Sequence, residues 1–375
     1  MRTFHAVLVS ALLLSHSKIH AVDYVVPANT NISKFFASLP KDATRVIFSA
    51  AAEYKCTGDI VLPDARLLVI DGAGAKLLLG PASNGFTREV ADQKEAMARI
   101  SSRYIIRDFA EIEGGKKAID LKATLGSVIS NLRLSGQTEA AIDLRFCLVT
   151  RLENVMVTNP AGRGIVLRQG DWSGASASNS QTNSSVLQQC RVYCARTTTA
   201  AFTVLNSGGV RMVDCVSEGA PADYALFLSA TTDGDESKPA GNSVVKSFTL
   251  ENFHVEHAAN KASIYVNFPS KATVTLSNVY WNGKHTAPVI LYTMGQLNLQ
   301  DIGWFSPDFR IVSRISAPRI NVDRCHSALR MGERNEKGEI ATSSDKEAGV
   351  LRLGQALPGN TQLKLDYVRV WRPSM

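Results

Sequence analysis

The stretch AIDLKATLGSVISNLRLSGQTEAAIDLRFCLVTRLENVMV, residues 118–157, decides the fold, because two short strand-like phrases alternate in it. The phrase AIDL occurs twice, and ISNLRL returns as LENVMV. Both phrases return after 23 residues, which is the spacing from Ile119 to Ile142 and from Asn131 to Asn154. Two phrases that share one period indicate a structural unit stacked on its predecessor, and a period of this size is typical of a solenoid.

The period continues beyond this stretch, with two interruptions. The first phrase recurs at 164–167, 201–204, 225–228, 263–266 and 288–291, and the second at 187–192, 212–217, 250–255, 276–281 and 299–304. Two steps are longer than the rest, and the extra residues fall just after the first phrase, at 168–185 and 229–243. Both stretches are rich in Ser, Asn, Gly and Asp, so we expect loops inserted at the same corner of the repeat.

Both phrases alternate apolar and polar residues, and they are too short and too rich in β-branched residues to be helices. A ladder of such strands predicts an all-β fold, a single-stranded parallel β-helix, in which each coil pairs with the next at about 4.8 Å. The inward positions would stack into one continuous core. A leucine-rich repeat has a similar period, but both phrases here are strand-like and its helical second half is missing.

The N-terminus carries a targeting pattern. A basic residue precedes the apolar run AVLVSALLL at 6–14, which is too short to span a membrane. We interpret residues 1–21 as a secretory signal peptide cleaved after Ala21, with a buried N-terminal strand or helix as the alternative. No later run is long and apolar enough for a membrane span, so we expect a secreted chain, extracellular or periplasmic. The continuing repeat predicts one elongated β-helix domain over 22–330 rather than two domains.

Three segments depart from the repeat. NISKFFASLP at 31–40 is a short amphipathic segment of the right size to cap an open end of the core. Residues 86–117 are charged and partly helix-like, so we expect an insert there, either a flap over a groove or a tolerated surface insertion. After residue 330 the repeat fades, and we expect 331–375 to form a C-terminal cap in which the strand pair VLRLG and TQLKLDYVRVW covers the last coil.

Charge and cysteine usage narrow the class of partner. The 375 residues carry a net charge of +7, and the basic residues are scattered without a run of five, which argues against nucleic acid. A mildly basic surface would suit an acidic polysaccharide, or serve solubility alone. Six cysteines are too few and too widely spread for a disulfide scaffold. The sequence contains no CxxC motif, which argues against a zinc site.

Two of the cysteines occupy equivalent positions in the repeat. Cys190 and Cys215 fall at the same place in successive second phrases, so their Cα atoms would lie about 5 Å apart, within the range of a disulfide. A bridge between coils and a pair of stacked buried thiols both fit this spacing, and the stacked thiols are the expectation we favour.

The N-terminal coils resemble the pectin lyase-like superfamily. A Leu-Pro pair is followed by VIF, by Tyr-x-x-x-Gly-x-Ile-x-Leu-Pro and by a strand that ends Ile-Asp-Gly-x-Gly-Ala. The residues of this pattern are Leu39, Pro40, Val46, Ile47, Phe48, Tyr54, Gly58, Ile60, Leu62, Pro63, Ile70, Asp71, Gly72, Gly74 and Ala75. The resemblance implies a right-handed parallel β-helix over roughly 27–330, with glycans bound along one outer face.

The resemblance does not identify one family of this superfamily. The Asn-Thr-Asp, Asp-Asp, Gly-His-Gly and Arg-Ile-Lys motifs of the polygalacturonase-like hydrolases are missing, and the pectate lyase signatures around the calcium aspartates and the catalytic arginine are not recognisable. The fold is shared by lyases, hydrolases, epimerases, tailspikes and adhesins, so the fold alone does not decide the function.

The two corner inserts predict a first candidate site, a cleft between two walls that flank a coil without an insert. The first wall would carry Arg168, Asp171 and Trp172, the floor Asn206, and the second wall Asp233, Asp235 and Glu236. An aromatic ring beside an acid and an arginine suits a sugar, because the ring stacks on the pyranose face. TTDGDES at 231–237 alternates acids around a glycine, so Ca²⁺ is a candidate cofactor, although solvated loop charge explains the same residues.

A second candidate site lies one coil further on, in FHVEHAAN at 253–260. In the aligned phrases one outward slot is taken by Met156, Arg191, Val216, His254, Tyr280 and Gly303. Elimination from a uronide needs a base for the C5 proton and a cation or metal that neutralises the carboxylate. The catalytic candidates are therefore His254, Tyr280, Arg191 and Glu256, with Lys246 and Trp281 as substrate-binding candidates.

A hydrolase would need a different arrangement, two carboxylates roughly 5–10 Å apart, and the candidates here are Asp214 and Glu256. One further column is predicted to be structural, because its side chains would satisfy each other and the backbone at a turn. Its members are Asn131, Asn154, Gln189, Asp214, Asn252, Asn278 and Asp301.

These patterns predict a secreted carbohydrate-active β-helix protein whose partner is a polysaccharide, with no nucleic acid and no membrane span. The first hypothesis is a polysaccharide lyase or glycoside hydrolase, with an acidic polysaccharide as one option for the substrate. The alternative is a non-catalytic glycan-binding or surface-adhesion β-helix. The missing family motifs favour the alternative, whereas the paired inserts and the His254 cluster favour the enzyme.

Overall fold

The computed structural model describes residues 23–40, 42–230, 245–281, 289–302, 313–323, 325–327, 351–353, 362–365 and 368–370. The first coils contain β1 (Asp23–Val26), α1 (Ile32–Ala37), β2 (Arg45–Phe48), β3 (Glu53–Cys56), β4 (Ile60–Val61), β5 (Leu68–Asp71), β6 (Lys76–Leu79), β7 (Asn84–Thr87), α2 (Gln93–Ala98) and β8 (Tyr104–Gly114). The central coils contain β9 (Lys117–Leu125), β10 (Val128–Ser135), β11 (Ala140–Leu148), β12 (Arg151–Thr158), β13 (Arg163–Arg168), β14 (Val186–Gln188), β15 (Arg191–Cys194), β16 (Ala200–Leu205), β17 (Val210–Gly219) and β18 (Ala222–Ser229). The last coils contain β19 (Ser247–Glu256), β20 (Ala259–Phe268), β21 (Thr273–Trp281), β22 (Val289–Thr293), β23 (Gln296–Gln300), β24 (Ser313–Ser316), β25 (Arg319–Asp323), β26 (Cys325–Ser327), β27 (Leu351–Leu353), β28 (Gln362–Leu365) and β29 (Val368–Val370).

The described strands form two long parallel sheets. Sheet A has 16 strands, ordered β1-β2-β5-β8-β10-β12-β14-β17-β19-β21-β23-β25-β28, with β3, β6 and β15 beside this path. Sheet B has 11 strands, ordered β27-β24-β22-β20-β18-β16-β13-β11-β9-β7-β4. Because the chain alternates between the sheets, each sheet receives one strand from each coil. The predicted all-β parallel β-helix is confirmed.

The register of sheet B follows the sequence period. Ile119 pairs with Ile142, Ile142 with Ile165, Ile165 with Phe202 and Phe202 with Leu226. These side chains are buried in one continuous core, and full burial of each stabilises the fold by about 1.5–3 kcal/mol. The register passes the insert at 168–185 without a slip, as expected for a loop added at a corner.

The predicted asparagine column is a ladder at a bend in sheet A. All seven predicted residues have a positive φ, between 49° and 54°. Where Asn follows Asn or Asp in successive coils, the amide donates to the coil before: Asn154 to Asn131 (3.0 Å), Asn252 to Asp214 (2.6 Å) and Asn278 to Asn252 (3.1 Å). Asn and Asp tolerate this left-handed conformation better than most residues. The column is therefore structural, as predicted.

The N-terminal segment forms α1, which begins where Asn31 accepts a hydrogen bond from the Lys34 N–H (3.0 Å). Its apolar side buries Ile32 and Phe36, and the Phe36 ring packs against Phe86 with centroids 5.8 Å apart. The helix therefore places apolar side chains at the first end of the core, in agreement with the sequence.

The interruption between β7 and β8 is shorter than the predicted 86–117, because both strands continue the sheets at its ends. It contains α2, held by Arg88, whose side chain is fully buried and lies 3.1 Å from the Asp64 carboxylate. Arg88 also donates to the carbonyl of Arg99 (2.8 Å). A small apolar cluster around Val90 and Ala96 joins this insert to the outside of sheet B.

The structure agrees with the expectation that Cys190 and Cys215 are stacked buried thiols. Cys56, Cys147, Cys190, Cys194 and Cys215 are all free and buried. The hypothesis of a Cys190–Cys215 bridge is therefore wrong for this structure. The two thiols interact as a pair, and this contact together with burial raises the pKa of Cys190.

Several expectations fall outside the described residues: the signal peptide at 1–21, the acidic loop at 231–237 and most of 331–375. Of the last segment, β27 pairs with β24 and β28 with β25, so these strands extend the two sheets. The C-terminal cap over 331–375 stays a prediction. Within the described ranges, no helix is long and apolar enough to cross a membrane. The same ranges contain no group of three His, Cys, Asp or Glu arranged to hold a metal ion.

Candidate active site on the outer face of sheet B

Consecutive strands of sheet B place charged side chains on its outer face. Asp120 of β9 pairs in register with Asp143 of β11, and Arg145 of β11 pairs with Arg168 of β13. Their neighbours along each strand, such as Ile142 and Leu144, point into the core, and strand residues alternate between faces. The stacking therefore brings together charges that are far apart in the sequence.

These charges form one ion-pair network of three cations and three carboxylates. Asp143 accepts from Arg168 Nε (2.9 Å) and Nη2 (2.8 Å), and its Oδ2 lies 3.1 Å from Lys117 Nζ. Asp120 pairs with Arg145 and, at 3.1 Å, with Lys117. Asp171, from the first corner insert, lies 2.9 Å from Arg168 and 3.2 Å from Arg145. Each charge has an opposite partner, which buried charges require.

The network keeps its carboxylates ionised. Burial by itself would raise the pKa of Asp143, but the hydrogen bonds from Arg168 and the charges of Arg145, Arg168 and Lys117 outweigh burial and hold the pKa below its usual 3.8. For Asp171, burial opposes the charges of Arg145 and Arg168, and these charges again lower the pKa. Both groups are therefore anions throughout the neutral range.

A cavity of about 250 Å³ opens beside the network. It is lined by Lys117, Glu139, Ala140, Asp143, Gly162, Arg163, Val166, Arg168 and Thr199. Glu139 Oε2 lies 3.9 Å from Lys117 Nζ, which is itself 3.1 Å from Asp143 Oδ2. The two carboxylate oxygens are thus at most 7.0 Å apart, the sum of these distances. The side chain of Glu139 is 53% exposed, whereas that of Asp143 is 4% exposed.

A second cavity of about 150 Å³ follows along the stack and shares Arg163 and Thr199 with the first. Tyr224 and Phe227 lie at this cavity with ring centroids 4.8 Å apart, and Phe227 stacks on Tyr265 at 5.0 Å. This part of the outer face is aromatic, whereas the part around Asp143 is charged.

The first predicted site is partly assembled by the structure. Arg168 and Asp171 lie together, as expected, but as members of the ion-pair network. Trp172 donates from Nε1 to Gln93 Oε1 (3.0 Å) and packs against Phe146, so it joins the corner insert to α2 and does not present an open stacking surface. The predicted second wall, Asp233, Asp235 and Glu236, lies outside the described residues.

Asn206 does not form an open floor. Asn206 is 2% exposed, and its side-chain amide donates a hydrogen bond to Gln169 Oε1 (2.7 Å). The backbone of Asn206 has φ 46° where the chain leaves β16. The sequence-based placement on an open floor was wrong because this side chain is buried against Gln169.

The second predicted site lies on sheet A, and its central residues do meet. Val216, His254 and Tyr280 are aligned in successive strands. The rings of His254 and Tyr280 stack with centroids 4.0 Å apart. His254 Nε2 lies 2.9 Å from Glu256 Oε1 but out of line for a hydrogen bond. Burial lowers the pKa of His254, and Arg191 adds to this, against the opposing effect of Glu256 and Glu218, so the imidazole is neutral at pH 7.

The other predicted members of this site lie apart from His254. Arg191 occupies the same column but is separated from His254 by the strand of Val216, a distance of about 10 Å. It donates to the Tyr193 hydroxyl (3.1 Å). Lys246 is exposed, but it precedes β19 and lies beyond the bend at Asn252.

Two predicted members are structural. Trp281 pairs with Val255, is 4% exposed and belongs to the core, so its prediction as a binding residue was wrong. The phrase alignment itself carried this signal, because Trp281 takes the inward slot of Val157 and Val255. Asp214, the proposed partner of Glu256 in a hydrolase, belongs to the asparagine ladder.

Sequence reasoning missed the residues that build the cavities on sheet B. They are Lys117, Asp120, Glu139, Asp143, Arg145, Arg163, Tyr224 and Phe227. A signal was present, since the phrase AIDL places an Asp in the same outward slot at 120 and at 143, whereas later phrases have Val, Thr and Phe there. Two carboxylates in adjacent coils need counter-charges, and these are the Lys and Arg residues of the neighbouring columns.

The sequence matches no family model and no curated protein. Among solved structures, the catalytic domain of a GH87 alpha-1,3-glucanase in complex with tetrasaccharides is similar, with a TM-score of 0.51 and 12% identity over 90% of this chain and 69% of that chain. A structure of this catalytic domain with nigerose gives 0.49 and 11% over the same shares. PfbA, a surface adhesin of Streptococcus pneumoniae, gives 0.39 and 10% over 79% of this chain and 85% of that chain.

At these identities the likeness concerns the fold alone. The chain has the fold of a right-handed parallel β-helix, as expected from the sequence, and no single family is identified.

Proposed function

We propose that this protein binds a polysaccharide along the outer face of sheet B and hydrolyses a glycosidic bond at the first cavity. The observation that carries the proposal is the pair of carboxylates, Glu139 and Asp143, in one cavity and at most 7.0 Å apart. Retaining glycosidases place such a pair about 5–5.5 Å apart and inverting ones about 6.5–9.5 Å apart, so the bound on the distance admits either stereochemistry.

The two carboxylates are suited to different roles. Asp143 stays ionised because Arg168, Arg145 and Lys117 surround it, so it supplies fixed negative charge towards a developing oxocarbenium ion. Glu139 is exposed at the cavity and is placed to exchange a proton with the glycosidic oxygen or a water molecule. Lys117 stands between them and orients both.

The His254 face of sheet A supports a second candidate, β-elimination. The specific observation is a neutral imidazole stacked on Tyr280 and next to Glu256, since a neutral imidazole is the form that accepts a proton. The cation that elimination needs is less well placed, because Arg191 is about 10 Å away in the register. We therefore rank this candidate second.

A non-catalytic glycan-binding β-helix is the third candidate. It is supported by the saturation of the network, in which Asp120, Asp143 and Asp171 are each held by cations. A saturated network can hold a binding surface rigid without doing chemistry. Secretion belongs to the proposal as well, and sequencing the N-terminus of the exported chain would test the cleavage after Ala21.

One experiment separates these candidates. The purified protein is incubated with homogalacturonan, alginate, hyaluronan and α-1,3-glucan, while reducing ends and the ultraviolet absorbance of unsaturated products are followed together. Glu139→Gln, His254→Asn and, as a matched surface control, Glu153→Gln are assayed in parallel. Reducing ends without absorbance, lost only in Glu139→Gln, are the expected result.

The other outcomes contradict the proposal in distinguishable ways. Absorbance that is lost in His254→Asn and kept in Glu139→Gln would assign elimination to sheet A. Binding of one glycan without any product would support the third candidate, a non-catalytic glycan-binding β-helix. Full hydrolysis by Glu139→Gln would refute the role of Glu139 and with it the proposed site.

A further inference from the structure

The groove on sheet B continues from the first cavity into the second. Ligand sites in proteins usually enclose about 300–1,000 Å³. Neither cavity reaches this size, but the two share Arg163 and Thr199 and together enclose about 400 Å³. The volumes therefore indicate two halves of one site.

The second half differs from the first in chemistry. Its floor is formed by Tyr224 and Phe227, and its rim carries the ion pair of Lys261 and Asp223 (3.4 Å). Lys261 Nζ also lies 5.7 Å from the centroid of the Tyr224 ring. The charge of Lys261 is matched by Asp223, and Arg163, which lines both cavities, adds a further cation to this half. An aromatic floor with a polar rim suits a ring that has an apolar face and hydroxyls at its edge.

The Tyr224 hydroxyl gives an independent indication of a ligand. Tyr224 is 5% exposed, and its hydroxyl has no hydrogen-bond partner within the part of the chain that the structure describes. Buried hydroxyls are almost always hydrogen-bonded, because an unpaired one loses its interaction with water without compensation. A ligand hydroxyl in the second cavity would satisfy it.

We propose that the second cavity is a subsite for a pyranose ring of the same polysaccharide of which another residue occupies the first cavity. The inference rests on the proposed function, since it takes the first cavity as the glycan site. It adds that recognition extends three coils beyond Asp143, because Asp143 aligns with Val166, Thr203 and Phe227 in successive strands. The ring in the second cavity is contacted by Tyr224, Phe227 and the Lys261–Asp223 pair.

The test uses chain length. Calorimetric titration of the full chain with disaccharides and hexasaccharides of α-1,3-glucan and of hyaluronan compares wild type with Tyr224→Phe and Phe227→Leu. Removing one hydrogen bond should weaken hexasaccharide binding roughly threefold to tenfold and leave disaccharide binding unchanged. Tyr24→Phe, at the first strand of sheet A, removes a hydroxyl far from the groove and should change neither.

Failures of the subsite and of the function are distinguishable. If Arg168→Gln weakens binding of both lengths while Tyr224→Phe and Phe227→Leu, with unchanged melting temperatures, bind hexasaccharides as wild type does, the subsite is refuted and the glycan site stands. If the wild-type chain binds none of the probes, the subsite is refuted together with the proposed function. Equal losses for both lengths in Tyr224→Phe would also contradict a separate subsite.

Discussion

Replacing Asp143 by Asn should destabilise the protein strongly, although the change is nearly isosteric. The side chain is 4% exposed, accepts two hydrogen bonds from Arg168 and lies 3.1 Å from Lys117. Breaking a buried pair from one side costs about 3–5 kcal/mol, because the cations that remain are buried without a full counter-charge. Unfolding entropy of about 2.1 cal/mol/K per residue over 375 residues gives about 0.8 kcal/mol per kelvin, so the melting temperature should fall by about 4–6 °C.

The assay is thermal unfolding followed by circular dichroism at pH 7, with Glu153→Gln as the matched control. Glu153 pairs with Arg151 at 3.0 Å on an exposed surface, where loss of a pair costs less than about 1 kcal/mol and shifts melting by about 1 °C. A melting temperature of Asp143→Asn within 1 °C of wild type would refute the reasoning, since it would mean that the buried cations do not depend on this carboxylate.

Acidification provides a second readout of the same network. The folded pKa of Asp143 lies below the unfolded 3.8, so the unfolded state binds more protons as the pH falls below 3.8. The contribution of Asp143 is therefore fully present above this pH and is lost below it. The gap in stability between wild type and Asp143→Asn should narrow as the pH falls below 3.8, and a constant gap would contradict the assignment.

Three further outcomes are expected. Burial lowers the pKa of His257, whose Nε2 is 2.6 Å from the Ser217 hydroxyl. The free energy of unfolding should therefore fall by up to about 1.4 kcal/mol per pH unit as the pH drops below 6.5. Urea midpoints of wild type and His257→Asn, measured as a function of pH, test this, and equal slopes in the two proteins would contradict it. Trp172→Leu removes the hydrogen bond to Gln93, so amide hydrogen exchange at α2 should become faster, whereas exchange in β9 should not change. Unchanged exchange at α2 would show that this hydrogen bond does not hold the insert in place. In the asparagine ladder, Asn252→Ala should lower the free energy of unfolding by about 1–3 kcal/mol. Asn252→Gly should lower it less, because alanine is strained at φ 52° and glycine is not. The reverse order would refute the argument from strain.

The sequence predicted the fold well because a solenoid repeats one local pattern. The 23-residue period of Ile119 and Ile142 fixes which residues meet in adjacent strands, and the alternation along each phrase fixes which of them face the core. The asparagine column was predicted for the same reason. Even the column of Arg191, Val216, His254 and Tyr280 follows from counting along the repeat.

The candidate site was predicted less well, because it depends on groups that the period does not order. Trp172 donates to Gln93 of a remote insert, and Asn206 is buried against Gln169, which comes from the preceding coil. Asp120 and Asp143 were visible as a repeated outward Asp, but no pattern in the sequence showed that Lys117 and Arg168 would close the network around them.

The sequence by itself determined the coil, the core and the order of stacking, since each of these depends on contacts at a constant separation along the chain. Only the tertiary structure decided which outer face carries a cavity. That choice depends on charges from separate coils being desolvated side by side, with Asp171 of the corner insert completing the network. Such contacts have no fixed separation in the sequence, and their free energy arises only when burial removes water from all of them at once.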